Sequence, residues 1–411
     1  MRRWPPPDWA WVVLAGTLRL AFALKIGDRF IQIDEIGYDA PAWQLASTGV
    51  LGTEGTSKIV PPVPSTFFAL FFYLSGHNKL FPRLGQALVG AWIVWCIGRM
   101  TKELTGNEKA GRLALAISAV YPFFIYYSGM LMSETIYIAA LVPGLWWLCA
   151  SLSESRRICW QAPAAGFALG LAALSRAEAA PSAIIIWLAC AAACAKKRWP
   201  WRAWALAVLF WAIPLSIWAA RNKATAGIFK LDTHGGMTML HGTVLFEQNE
   251  QDTSLAMKTL KQMPFYQQAQ GLPNEQRDNI YLREALNFMF HNPGLTLAQW
   301  TRKFVNFWRL YPRIDKQYHE TIHSHPGAGL NRAALVIISL FVEPFLILGG
   351  FWGLWLLRSR WSELFPLLLF LAGTMMIHVV SVSQMRYRLP VMPILIMASA
   401  HWACARYSTK R

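Results

Sequence analysis

Acidic side chains are scarce here: 22 Asp and Glu stand against 39 Lys and Arg in 411 residues, and the four types together make up only 15%. A soluble domain carries about 25% charged residues, so an ordinary soluble fold is excluded. Cysteine is scarce too. Cys96, Cys149, Cys159, Cys190, Cys194 and Cys404 all fall in segments that read as cytoplasmic helix ends or loops. No structural disulfide is therefore expected on the opposite side. No small-residue cleavage site follows Met1-Arg2-Arg3, so the first apolar run reads as a retained anchor. Neither an internal repeat nor a low-complexity tract is present. Paired metal-ligand motifs are absent as well. Cys190 and Cys194 have no second ligand pair, and His319, His323 and His325 lie in a loop-like stretch without regular spacing. No metal site is assigned and no cofactor is implied.

Apolar surface is abundant instead. The chain is 55% hydrophobic and 14% aromatic, with 21 Trp and a mean hydropathy of +0.30. That is the composition of a polytopic membrane protein, with Trp at headgroup level. The net charge of +17 could suggest nucleic acid. The basic residues are spread over short loops between apolar runs, however, which is the positive-inside pattern. No nucleic-acid partner is expected.

That pattern sets an expected topology of about ten spans in an all-α bundle, with both termini in the cytoplasm. Near the ~20 residues a bilayer requires are 9–26, 80–100, 113–128, 135–150, 203–220, 334–357, 361–380 and 391–405. Runs 162–174 and 181–195 are shorter. Both of their ends, Arg156-Arg157 and Lys196-Lys197-Arg198, are basic and so both inside, which makes them a hairpin. The run 62–75 is short and opens in prolines. If it crossed, the basic loop with Lys102, Lys109 and Arg112 would land outside, so it reads as a juxtamembrane helix in the first outer loop, 27–79. Three regions follow: an N-terminal membrane module 1–220, a large and mostly helical outer cap 221–333, and C-terminal membrane helices 334–411. Within the cap, Asn274–Phe290 has helical periodicity, while Asp232–Gly242 is glycine-rich and reads as a loop.

This topology gathers polar residues from distant segments on the outer face: Asp34, Glu35, Tyr38, Lys58, Glu134, Arg176, Glu178, Arg221, Asn222, His234, His241, Arg386, Tyr387 and Arg388. Adjacent acids at a membrane surface suit a general base facing a wet cavity. Arg386 and Arg388 lie outside, against the positive-inside bias, and an arginine fork suits phosphate. Glu134 is an acid beside a membrane helix with few polar neighbours, which marks it as a functional candidate. Arg176 and Glu178 are near enough in sequence to pair locally. His378, in an apolar helix, reads as a hydrogen-bonded core residue.

Asp34-Glu35 with Tyr38, Ala42 and Gly49 resembles the first-loop signature of the GT-C superfamily, in the bacterial branch related to protein O-mannosyltransferases and the lipid A aminoarabinose transferase. The likeness continues through Pro61-Pro62, Arg83, Pro122, Ser133-Glu134, Leu174-Ser175-Arg176, Arg221-Asn222, Gly235-Gly236, Asn292-Pro293 and Arg386-Tyr387-Arg388 with Pro390 and Pro393. It implies an inner-membrane glycosyltransferase that takes a sugar from a polyprenyl-phosphate-linked donor and passes it to a periplasm-side glycolipid, polysaccharide or protein. By this resemblance Asp34 is the general base, with Glu35 and Glu134 beside it. Arg386, Tyr387, Arg388, Arg221, Arg176 and Lys58 would hold the donor phosphate and lipid; Tyr38, Asn222, His234 and His241 would face the sugar or acceptor. The chain departs from the pattern where the family's Lys-Pro-Pro is interrupted between Lys58 and Pro61, and where Gly37 stands in place of an Arg. Two other readings use the same residues. A transporter or flippase would place charges near the bilayer midplane and often show repeats. A polysaccharide ligase or polymerase would need more basic groups in its outer loops.

Overall fold

The computed structural model of the chain describes residues 7–51, 59–153, 160–196, 199–251, 253–311 and 328–408. Among these residues the regular elements are helices, without strands. Membrane physics accounts for that: with no water to bond to, each backbone group must be satisfied within its own helix.

Helix α1 (Asp8–Ile26) ends at Gly27, whose φ of 66° reverses the chain. A short 3-10 turn, Ile33–Glu35, leads into α2 (Ile36–Thr48), which packs on α3 (Pro62–Ser75). Helix α3 begins on a proline, which fits the first helical position. At 14 residues it is too short for an ordinary span, as its sequence implied. Then come α4 (Leu80–Thr105), α5 (Glu108–Val120), α6 (Pro122–Ser128) and α7 (Ser133–Ser153). The break at Pro122 bends α5 against α6 by 52°. The hairpin of α8 (Gln161–Ala173) and α9 (Ala179–Ala195) precedes α10 (Trp201–Ala226).

Among the described residues of the segment expected to be the cap lie six helices: α11 (Gly235–Gly242), α12 (Phe246–Gln251), α13 (Thr253–Gln262), α14 (Pro264–Ala269), α15 (Asn274–His291) and α16 (Pro293–Phe307). Leu240, Leu245, Ala256, Leu260, Ala269 and Tyr281 give it a small core of its own. The expected loop over 232–242 is largely the helix α11. Two of its glycines serve close packing: a Cβ on Gly236 would lie 2.0 Å from the Asp278 carbonyl oxygen, and one on Gly242 the same distance from that of Ser381. The chain closes with α17 (Ala328–Leu356), α18 (Trp361–Val380), a 3-10 turn over Met385–Val391 and α19 (Met392–Ser408).

Among the described residues, seven helices are long and apolar enough to cross a membrane, or eight if the bent α5–α6 pair counts as one. The expected ten is reached only by adding α8 and α9, of 13 and 17 residues. Helix α1 packs on α4 and α5, α8 lies between α7 and α10, and α18 contacts α7, α9 and α16. The helix ends nearest Asp34, Glu134, Arg176 and Arg386 therefore meet at one end of the bundle.

Candidate active site

Glu35 anchors the turn that presents Asp34. Its carboxylate is fully buried and accepts from the backbone N–H of Ile31 (2.8 Å), Gln32 (2.9 Å) and Leu131 (3.1 Å). Arg83, also fully buried, donates to it at 2.7 Å. Successive residues of a 3-10 helix diverge by about 120°, so pinning Glu35 inward leaves Asp34 facing elsewhere, with its side chain 35% exposed.

Asp34 meets the turn that joins α18 to α19. Arg386 Nη1 donates to Asp34 Oδ2 at 2.5 Å, and Arg386 Nη2 lies 3.3 Å from the Tyr387 hydroxyl. The Tyr387 ring is stacked on His378 at 4.3 Å and 3°, with the Arg176 guanidinium 5.4 Å from its centroid. Arg176, in the turn between α8 and α9, is gripped by two acids: Nη1 donates to Glu134 at 3.0 Å and Nε to Glu178 at 2.7 Å. His378 Nε2 lies 3.4 Å from the same Glu178 oxygen. Burial alone would raise the Glu178 carboxyl, but Arg176 and His378 outweigh it and hold the group well below the usual carboxylate range. Tyr38 donates to the Ser133 hydroxyl at 3.0 Å. Burial, and then Glu134, push its phenol above the ordinary value, so it stays a donor at neutral pH.

The structure thus brings together Asp34, Tyr38, Glu134, Arg176, Arg386 and Tyr387 from four separate stretches of the chain. It adds three groups not assigned to a site from the sequence. In the sequence Glu178 stands as a local partner for Arg176, His378 as a core residue, and Ser133 only as part of a motif. No local pattern in the sequence signals the His378–Tyr387 stack.

Other expected site residues lie elsewhere. Glu35, expected beside the catalytic acid, has both oxygens bonded in the interior. Arg388, expected at a phosphate, is 1% exposed with its fork already used: Nη2 pairs with Glu343 at 2.6 Å, and Nη1 donates to the carbonyls of Phe307 and Arg309 at 2.9 Å each. Arg221 lies over the Trp218 ring and donates to the Leu51 carbonyl. Asn222 is buried and donates to the Lys230 carbonyl. His241 interacts with Asn249, and burial lowers its pKa. His234 is exposed at the start of α11. Lys58 and the histidines at 319, 323 and 325 lie outside the described residues. Among the described residues no group of three or more His, Cys, Asp or Glu is arranged to hold a metal ion.

Comparison with known proteins gives a family model and solved structures. The model, described as dolichyl-phosphate-mannose-protein mannosyltransferase, matches residues 59–218. That stretch runs from just before α3 into α10 and holds Glu134 and Arg176, but neither Asp34 nor Arg386. The archaeal oligosaccharyltransferase AglB from Archaeoglobus fulgidus, in complex with an inhibitory peptide and a dolichol-phosphate, is similar over 98% of this chain, with a TM-score of 0.55 and 11% identity. The Archaeoglobus fulgidus oligosaccharyltransferase in its apo form gives 0.55 and 12%, again over 98% of the chain. This chain spans about half the length of these enzymes, covering 50% and 51% of them. ArnT from Cupriavidus metallidurans in the apo state gives a TM-score of 0.42 at 13% identity, over 96% of this chain and 78% of its own. No curated protein sequence matches. The likeness to these oligosaccharyltransferases is one of fold, over nearly the whole of this chain.

Proposed function

We propose that the protein is an integral-membrane glycosyltransferase that moves a sugar from a polyprenyl-phosphate-linked donor to an acceptor hydroxyl, with inversion. The observation that carries this reading is the partly exposed Asp34 carboxylate set against Arg386, where four helix ends converge. Asp34 Oδ2 faces the guanidinium, while Oδ1 has no hydrogen-bond partner among the described residues. In the proposed step, Asp34 takes the proton of the acceptor hydroxyl as its oxygen bonds to the anomeric carbon. The bond from that carbon to the phosphate oxygen breaks, and polyprenyl phosphate leaves with the electron pair. Arg386 is placed to hold the charge that develops there, a contribution of several kcal/mol in order of magnitude. The family match and the dolichol-phosphate bound to the similar oligosaccharyltransferase support a lipid-phosphate donor. The distribution of basic loops supports an inner membrane protein with its site on the extracytoplasmic face and both termini in the cytoplasm.

The test uses membranes carrying the wild-type protein or D34N, supplied with polyprenyl-phosphate sugars extracted from cell envelopes. Mass spectrometry reads free polyprenyl phosphate and glycosylated product. Wild-type membranes should release both. D34N should fall by about 10²–10⁴ with its melting profile unchanged. Near-normal turnover in D34N would rule the mechanism out.

A further inference from the structure

Two atoms at the meeting of α7 with the Met385–Val391 turn complement each other. Glu134 is 1% exposed; its Oε1 accepts from Arg176, and its buried Oε2 has no partner among the described residues. Arg386 uses Nη1 on Asp34 and Nη2 toward Tyr387, and its buried Nε likewise has no partner among the described residues. The two side chains are near enough to interact electrostatically. No ion pair joins them among the described residues, because each is held by another group: Glu134 by Arg176, Arg386 by Asp34.

A carboxylate oxygen can only accept a hydrogen bond, and a guanidinium N–H can only donate one. Leaving either unmet inside a protein is costly. A phosphate offers acceptors only and would be repelled by the carboxylate. An ammonium offers donors only and would be repelled by the guanidinium. A hydroxyl does both, donating to Oε2 and accepting from Nε. We propose that Glu134 and Arg386 form a subsite for one sugar hydroxyl, which makes Glu134 a specificity-determining residue in the transfer reaction proposed above, on which this inference rests. Arg176 also donates to Glu178 at 2.7 Å, so a change at Glu134 should leave the guanidinium one carboxylate partner.

The experiment crosses enzyme variants with deoxygenated substrates. Wild type, E134Q and E134A are each assayed with polyprenyl-phosphate hexoses, native and lacking one ring hydroxyl at a time, and with acceptors deoxygenated in the same way. Wild type should reject one analogue by roughly 10- to 100-fold in kcat/KM, because that analogue leaves buried polar groups unpaired. E134A should treat that analogue and its parent alike, and E134Q should keep part of the discrimination. If the sensitive analogue is a donor, the hydroxyl belongs to the transferred sugar; if it is an acceptor, it belongs to the group attacked. A merely structural Glu134 would slow every substrate equally and leave wild-type discrimination intact in E134A, and that result overturns the subsite while sparing the transferase reading. Absence of transfer by wild type from every polyprenyl-phosphate sugar overturns the transferase reading itself.

Discussion

Replacing Glu343 by Leu, or Arg388 by Met, should loosen the bundle at its site end. Glu343 lies mid-way along α17 with no exposed surface, and its two oxygens take Tyr121 Oη at 2.5 Å and Arg388 Nη2 at 2.6 Å. Arg388 also donates to the carbonyls that end α16, so one ion pair ties α16, α17, the α5–α6 break and the Met385–Val391 turn. Removing one member of such a pair strands an uncompensated charge and costs about 3–5 kcal/mol. Removing both strands no charge, although the Phe307 and Arg309 carbonyls lose their donor. The double variant should therefore lose less than the sum of the singles, with a coupling of about 2 kcal/mol or more. The assay is thermal melting of the purified protein in detergent, read by tryptophan fluorescence, with donor binding measured alongside. Each single variant should melt about 5–10 °C lower. Strict additivity in the double variant would refute the argument. R388M that melts normally but binds donor weakly would return Arg388 to the phosphate role its sequence position suggested.

G166L should fail to give folded protein, because a Cβ at Gly166 would sit 1.9 Å from the Ala207 backbone carbonyl oxygen where α8 crosses α10; a normal monodisperse peak in size-exclusion chromatography would contradict this. Burial brings Lys303 down to about 8, against a smaller opposing pull from Glu250. The unfolded chain therefore holds more protons between about pH 8 and its ordinary range, so stability should rise with pH through that window, and the burial penalty is complete below it. K303M keeps the buried stem; it should be more stable at pH 7 and lose the rise, and an unchanged slope in melting temperature from pH 7 to 10 would refute the assignment.

Much of the architecture was legible because the bilayer limits the choices. Apolar runs became helices, the proline-led run 62–75 became a short one, and the periodicity over Asn274–Phe290 became Asn274–His291. The polar partners were less legible. Glu35 and Asp34 are neighbours with opposite fates, and the difference lies in Arg83, 48 residues on. Arg386 and Arg388 look equivalent in a basic motif, yet one faces Asp34 and the other is buried on Glu343, an acid inside an apolar run with no motif around it. Gly236 and Gly242 look like loop residues because composition cannot distinguish glycine used for freedom from glycine used for close approach.

Five arginines, Arg19, Arg83, Arg176, Arg386 and Arg388, divide by what they bond, and the division separates framework from site. Arg19 donates to the carbonyls of Ala15, Ser118 and Ala119, capping α5 where Pro122 cannot supply an N–H. Arg83 donates to the carbonyls of Gly27 and Gly129 at the ends of α1 and α6, and Arg388 does the same for α16. Broken helices in a membrane leave carbonyls that water cannot reach, and a cation at a helix C-terminus also meets the favourable end of its dipole. A backbone carbonyl in a packed helix cannot turn aside for a ligand, so these three are committed. Arg176 and Arg386 rest instead on side chains: Glu134, Glu178 and Ser133 for one, Asp34 and Tyr387 for the other. Side-chain partners can rotate, and Arg386 keeps a donor in reserve. Of these five, a substrate phosphate or hydroxyl can compete only for Arg176 and Arg386, and both belong to the cluster around Asp34.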